Sequence, residues 1–341
     1  MDKVTQVDAA QRLVLFSDTA AQMNIPAGLI EKDFWVCWTL KHLFSIPALR
    51  SHILFKGGTT LSKIFGVIER FSEDIDLAVD WDILGFTDER SPQSDMTAKK
   101  LRKLLKEMRE ECKKYIATDF LDALRERITD RLPDTRTWNI EVDPDDGQVV
   151  NFSYPMTTDS VGYVRPIVRL ELGTHAAFIP NDRFSIRPYA AGHFPEKFED
   201  AGCPLRAIKA ERTFWEKATI LHQEHFRDAD RGEPDRFSRH YYDVFMLASR
   251  ADITDAALGD PGLLARVVEH KKRFFPRKWA RYDLAVPASL QLQPSPDWTD
   301  YLRRDYENMK VMIFGEVPSF DDILSGLKRL EERIRRMVPT T

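Results

Sequence analysis

The stretch LFKGGTTLSKIFGVIERFSEDIDLAVD, residues 54–80, constrains the fold more than any other part of the chain. An apolar strand end runs into a Gly-Gly turn and a short helix, and a second strand follows with two acids two residues apart. Thr59 stands where a helix N-cap would, so Gly57, Gly58 and the free amides of the first turn can receive a phosphate without side-chain obstruction. In FSEDIDLAV the strand period of two sets Asp74 and Asp76 on one face and Ile75 and Leu77 on the other. Two carboxylates about 7 Å apart along a strand can share divalent cations, which activate a hydroxyl and hold a triphosphate. Alone, a Gly-Gly turn is commonly just a source of unusual backbone angles, and an Asp-x-Asp is commonly a solvated edge. Together they point to nucleotidyl transfer.

With KGGTTLSK at residues 56–63 and RFSEDIDL at 70–77, the chain resembles the nucleotidyltransferase-fold AbiEii/AbiGii toxin family of abortive-infection and toxin–antitoxin systems, which includes the MenT toxins. Three further segments are similar to the family's motifs. VRLELG at 168–173 resembles the segment supplying a third carboxylate, which makes Glu171 the third metal-site candidate. The alternative for Glu171 is a salt bridge to Arg169 or Arg165, and Asp143 is its rival. ERTFWEKA at 211–218 resembles the family's lysine motif and RHYYD at 239–243 its last motif, so Lys217 and Asp243 carry over as catalytic residues beside Asp74 and Asp76. EKDFWVCWTLKHLF, from Glu31, is similar to a segment that precedes the Gly-Gly turn in one branch of the family.

The residues themselves bear on these positions. Lys217 lies among Phe214, Trp215, Ala218, Ile220 and Leu221, where a buried ammonium needs an anion such as a triphosphate or else must reach solvent along its stem. Asp243, among Tyr241, Tyr242, Val244, Phe245 and Met246, needs a cation, and Lys217 or Arg239 can supply it. The trio Glu31, Lys32 and Asp33 reads as a first-turn dipole and salt-bridge feature rather than as part of the active site.

In order along the chain, residues 7–23 and 28–46 read as helices and 95–131 as a long helical pattern. One face of the latter is apolar, and the other carries Lys99, Lys100, Arg102, Lys103, Lys106, Arg109, Lys113 and Lys114. That stripe can track a phosphate backbone or, interrupted by glutamates, be a solvated face. Strands are expected at 138–142, 149–154 and 164–172, the first two joined through Asp145, Asp146 and Gly147. KKRFFPRKWARY at 271–282 interleaves cations and aromatics, either as a surface for single-stranded RNA or as a helix end with its rings packed inward. A final helix is expected over 321–337.

Composition sets the outer limits. With 341 residues and 43% hydrophobic content there is ample material for a core, and a net charge of −4 gives no global attraction to nucleic acid. The three cysteines, Cys37, Cys112 and Cys203, lack metal-ligand spacing and suit a reducing compartment. No apolar run is long enough to span a membrane, which leads to the expectation of a cytoplasmic protein without membrane association.

The fold expected is α+β: a nucleotidyltransferase core with a mixed β-sheet, N-terminal helices, and a helical C-terminal domain, divided as 1–204 and 205–341, with the active site in the cleft between. The resemblance implies Mg²⁺ (or Mn²⁺) held by Asp74, Asp76 and Glu171, and an NTP cradled by Gly57, Gly58, Thr59 and Ser62 with Lys63 and Ser72 in support. It further implies transfer of NMP to a tRNA 3′ end and a cognate antitoxin. The alternatives are a non-catalytic nucleotide- or RNA-binding module and a nucleotidyltransferase acting on protein.

Overall fold

The computed structural model describes residues 1–72, 74–159, 166–232 and 236–337. Its contacts divide the chain into two compact units, the first comprising Met1–Ile64 and Ser72–Ile208, the second Phe65–Phe71 and Lys209–Thr341.

The first unit is built on a mixed seven-stranded sheet. Its strands are β1 (Ile53–Lys56), β2 (Asp74–Val79), β3 (Asn139–Val142), β4 (Val149–Ser153), β5 (Ile167–Gly173), β6 (Asn181–Ile186) and β7 (Cys203–Ile208), in the order β3-β4-β5-β2-β1-β7-β6. β2 runs parallel to β5 and β1 parallel to β7, while β1–β2, β3–β4, β4–β5 and β6–β7 are antiparallel. The three expected strands become β3, β4 and β5. Positions 164 and 165 of the third lie outside the described residues. Sequence reading missed β6 and β7. Asn181, Asp182 and Arg183 give the edge strand β6 no apolar alternation, and Pro204 in β7 sits on an exposed position facing that edge strand.

The Ala27–Ser45 helix packs against β5 and β7 and is buried nearly all round. Phe34, Trp35 and Trp38 are fully buried; Trp35 stacks on Tyr154 and Trp38 on Phe152. Each such ring removed from water contributes roughly 1.5–3 kcal/mol. Glu31, Lys32 and Asp33 lie past the first turn of this helix and are buried, which corrects the expectation of a first-turn feature. Glu31 accepts four bonds, from the backbone and hydroxyl of Thr157 and of Thr158. Asp33 pairs with Lys63 at 2.6 Å and accepts from the Tyr189 backbone. The 95–131 pattern becomes the Ala98–Tyr115 and Leu121–Thr129 helices, joined through one wide turn at Ile116–Phe120.

The second unit is helical, with the Ala210–His225, Ser238–Ala248, Leu263–Phe274, Pro296–Met309 and Phe320–Arg335 helices at its centre. Ser319 and Asp322 form a capping box at the start of the last of these. Phe65–Phe71 is woven into this unit: Arg70 bridges Ile313, Phe71 N–H donates to Met312 O (2.8 Å), and Phe314 N–H donates to Glu69 O (2.9 Å). No helix among the described residues is long and apolar enough to cross a membrane.

Candidate active site

Strand register gathers the acids of the first unit. Asp76 lies directly opposite Lys56 on β1 and Glu171 on β5, and Asp74 lies opposite Arg169, which in turn faces Asn151 on β4. Since directly paired residues share a face, Lys56, Asp74, Asp76, Glu171, Arg169 and Asn151 form one polar surface. Ile75, Leu77, Val168 and Leu170 fill the other side and are fully buried.

Arg169 is the electrostatic centre of that surface. Its guanidinium lies 3.5 Å from Asp74, 3.4 Å from Asp143 and 3.1 Å from Glu171. Partial burial works against its charge, but the bond to Glu171 and the fields of Asp74, Glu171 and Asp143 hold its pKa above the ordinary value. Lys56 stands 3.8 Å from Asp76. Asp143 also accepts from the Asn151 amide (2.8 Å) and from the turn amides of Asp145 and Asp146, which together hold its carboxyl below the usual range. Among the described residues no three acidic, imidazole or thiol groups converge as a ready-made metal cage. The donor set of Asp74, Asp76 and Glu171 is all oxygen, the chemistry a hard divalent cation requires.

The Gly-Gly turn abuts these acids. Gly57 has φ +83°, and a Cβ there would collide with the Asp76 carboxylate, so both backbone angle and space demand glycine. Gly57 is the N-cap of the Gly58–Lys63 helix, which corrects the placing of Thr59 at that position. Thr59 lies inside the helix, and its hydroxyl donates to the Asp74 carbonyl (2.6 Å), tying the turn to β2. The Ser62 hydroxyl bonds Thr59 O within the helix (3.2 Å), and Ser72 is half-buried. Lys63 points away into the core, where it pairs with Asp33 and lies 3.7 Å from the Tyr189 ring centre. Burial opposes its charge, yet Asp33 leads the groups that keep its pKa raised.

In the second unit, Lys217 and Asp243 form a buried ion pair of 2.7 Å. Arg70 completes it with a fork: Nε and Nη2 donate to the two Asp243 oxygens at 2.7 and 2.8 Å. Burial disfavours the Asp243 charge, but Arg70 and Lys217 outweigh it and hold the carboxyl well below the usual range. Burial, Arg70 and Arg239 lower the Lys217 pKa against the pull of Asp243. With both oxygens engaged and no exposed surface, Asp243 orients Lys217. Arg70 is a residue that sequence reading missed, and its signal was a lone arginine between Ile68 and Phe71, both of which are buried. The nearby His240 ring is held neutral by burial and by Lys217 and Arg239.

The aromatic–cationic segment 271–282 packs partly inward: Phe274 and Tyr282 are buried, Lys272 pairs with Glu269, and Arg281 pairs with Asp283. Arg227, Arg231 and Arg277 surround the half-buried Trp279 ring.

No curated protein matches the chain significantly. Among solved structures, MenT4, a nucleotidyltransferase toxin from Mycobacterium tuberculosis H37Rv, is similar at 13% identity and a TM-score of 0.43, over 94% of this chain and 97% of its own. The family described as "Nucleotidyl transferase AbiEii toxin, Type IV TA system" matches residues 38–326, which take in the Gly-Gly turn, the acidic strand, Lys217 and Asp243. The chain therefore belongs to the AbiEii nucleotidyltransferase toxins of type IV toxin–antitoxin systems, whose substrate is an NTP and whose counterpart is an antitoxin.

Proposed function

We propose that the protein transfers NMP from an NTP to the 3′ end of a tRNA, with release of pyrophosphate and arrest of translation. The observation that carries this reading is the register of Asp76 with Glu171, two residues from Asp74 on the same face, beside a glycine turn whose missing Cβ makes room for the Asp76 carboxylate. Asp74, Asp76, Glu171 and Asp143 set four negative charges against Arg169 and Lys56, a balance of −4 + 2 = −2 among the described residues that suits a divalent cation. Mg²⁺ (or Mn²⁺) held by Asp74, Asp76 and Glu171 would supply Lewis-acid activation of the α-phosphate and of the attacking hydroxyl. Arg169, shared among Asp74, Asp143 and Glu171, would then be able to turn toward phosphate.

Gly57, Gly58 and Thr59 offer backbone amides to the β- and γ-phosphates, with Ser62 and Ser72 in support. Lys63 acts through Asp33, anchoring the turn's helix to the core. Lys217 meets the leaving pyrophosphate, and Asp243 with Arg70 fixes its direction. Arg70 stands four residues before Asp74 in the sequence. The tRNA acceptor rests on the resemblance of the Gly-Gly, acidic, lysine and last motifs to those of the family.

The test is incubation with each α-labelled NTP, Mg²⁺ and total RNA or lysate protein, followed by separation of the polymers. Label is expected on tRNA and should vanish with Asp76→Ala. Label on protein would replace the acceptor, and an active Asp76→Ala variant would refute the chemistry. A second reading, a non-catalytic nucleotide-binding module, is favoured by Arg169 and Lys56 already pairing with acids that would hold the cation. Tight Mg²⁺-independent NTP binding with unaltered tRNA ends would support it.

A further inference from the structure

On the Ala98–Tyr115 helix the acids and bases are unevenly sorted. At about 100° per residue, Lys99, Arg102, Lys103, Lys106 and Arg109 fall within an arc of about 120°. Leu104, Leu105, Met108, Cys112 and Tyr115 occupy the opposite side and are buried. All five cations are exposed. Lys113 and Lys114, in the last turn, pair with Glu110 and Glu111. The five upstream form no ion pair among the described residues, and the one acid in their span, Glu107, sits off the arc and is taken by Arg90. Among the five, neighbours three and four apart therefore meet as like charges, and the glutamates four residues beyond Lys103 and Lys106, Glu107 and Glu110, are taken by Arg90 and Lys113.

We propose that this face is a docking surface for the phosphate backbone of a nucleic acid. Five cations along about 15 Å of helix make a linear array suited to a linear polyanion. A membrane is disfavoured because the helix's apolar side is already consumed by the core. A protein partner is disfavoured because none of the exposed large hydrophobic residues lies on this helix, leaving no anchor for an interface centre. The array also leads toward the acids of the same unit. The Lys113 side chain closes over Gly147, passing 3.3 Å from where a Cβ would stand, and Gly147 lies in the turn that carries Asp143, whose carboxylate meets Arg169. On the nucleotidyl-transfer reading, the docked strand is the acceptor.

The experiment measures binding of fluorescent tRNA to the full chain without NTP, as log K against log salt concentration. Lys99→Gln/Arg102→Gln/Lys106→Gln should flatten the slope by about 2 units, three contacts at roughly 0.7–0.9 each, with an unchanged melting temperature. Lys271→Gln/Lys272→Gln/Lys278→Gln removes the same charge from the other basic segment and should leave the slope as it was. An unaltered slope in the first variant, or the loss appearing in the second instead, overturns the proposal. So does polyglutamate displacing tRNA as well as unlabelled tRNA does at equal charge, which would mark the face as a site for an acidic protein. Slope loss without any label transfer by the wild-type protein would uphold the surface and refute the enzymatic reading.

Discussion

Arg70→Ala should destabilise the second unit strongly. It takes two charge-assisted bonds of 2.7 and 2.8 Å from a carboxylate with no exposed surface and leaves it a single cation, Lys217. Removing one partner of a buried ion pair costs about 3–5 kcal/mol, because the charge left behind cannot recover its hydration. The loss should appear as faster amide exchange in the Ser238–Ala248 helix, which carries Asp243, since local opening reports local stability. Its origin can be checked in a second background. In Asp243→Asn the buried site holds Arg70 and Lys217 without their acid, so removing Arg70 there relieves repulsion and should be neutral or stabilising. Equal destabilisation in both backgrounds would refute the ion-pair account and leave only lost packing. The pH dependence has a definite sign. Asp243 is depressed in the folded state, so its contribution is fully present above the unfolded carboxylate value of about 4 and is lost as pH falls through the lower folded value. In Arg70→Ala the loss should begin at a higher pH.

Gly57→Ala should abolish nucleotide transfer and lower the melting temperature, because the new Cβ meets the Asp76 carboxylate at a backbone angle that L-residues rarely adopt. Arg169→Gln removes the cation shared by Asp74, Asp143 and Glu171, so the metal-free protein should melt lower and gain more from millimolar Mg²⁺ than the wild type does; equal gains would argue against a cation among these acids. Asp243→Asn removes the group that supports the Lys217 charge, so any remaining transfer activity should lose its alkaline limb at a lower pH than the wild type, as a pH–rate profile would show.

Periodicity is a property of the chain, and partnership is a property of the fold, which is why some of the site was legible and some was not. Asp74, Asp76 and the buried Ile75 and Leu77 follow from a period of two, and Glu171 follows from the same rule on a second strand. Nothing in either strand, however, states that they pair in parallel with Asp76 against Glu171, or that Arg169 stands among the acids. Lys63 shows the limit most clearly. A lysine one helical turn after a glycine turn reads as a phosphate contact, yet Asp33, in a helix that precedes the turn by a full strand, claims it in the core. That assignment explains why so apolar a helix carries an acid: Asp33 fixes the Gly58–Lys63 helix from beneath, while the Thr59 hydroxyl fixes it to Asp74 from the side. The glycine turn thereby gains a rigid mount on both the core and the acidic strand, and an array of backbone amides can be preorganised for an anion only on such a mount. Lys63 therefore serves the turn by holding it still, a role that its place beside the motif concealed.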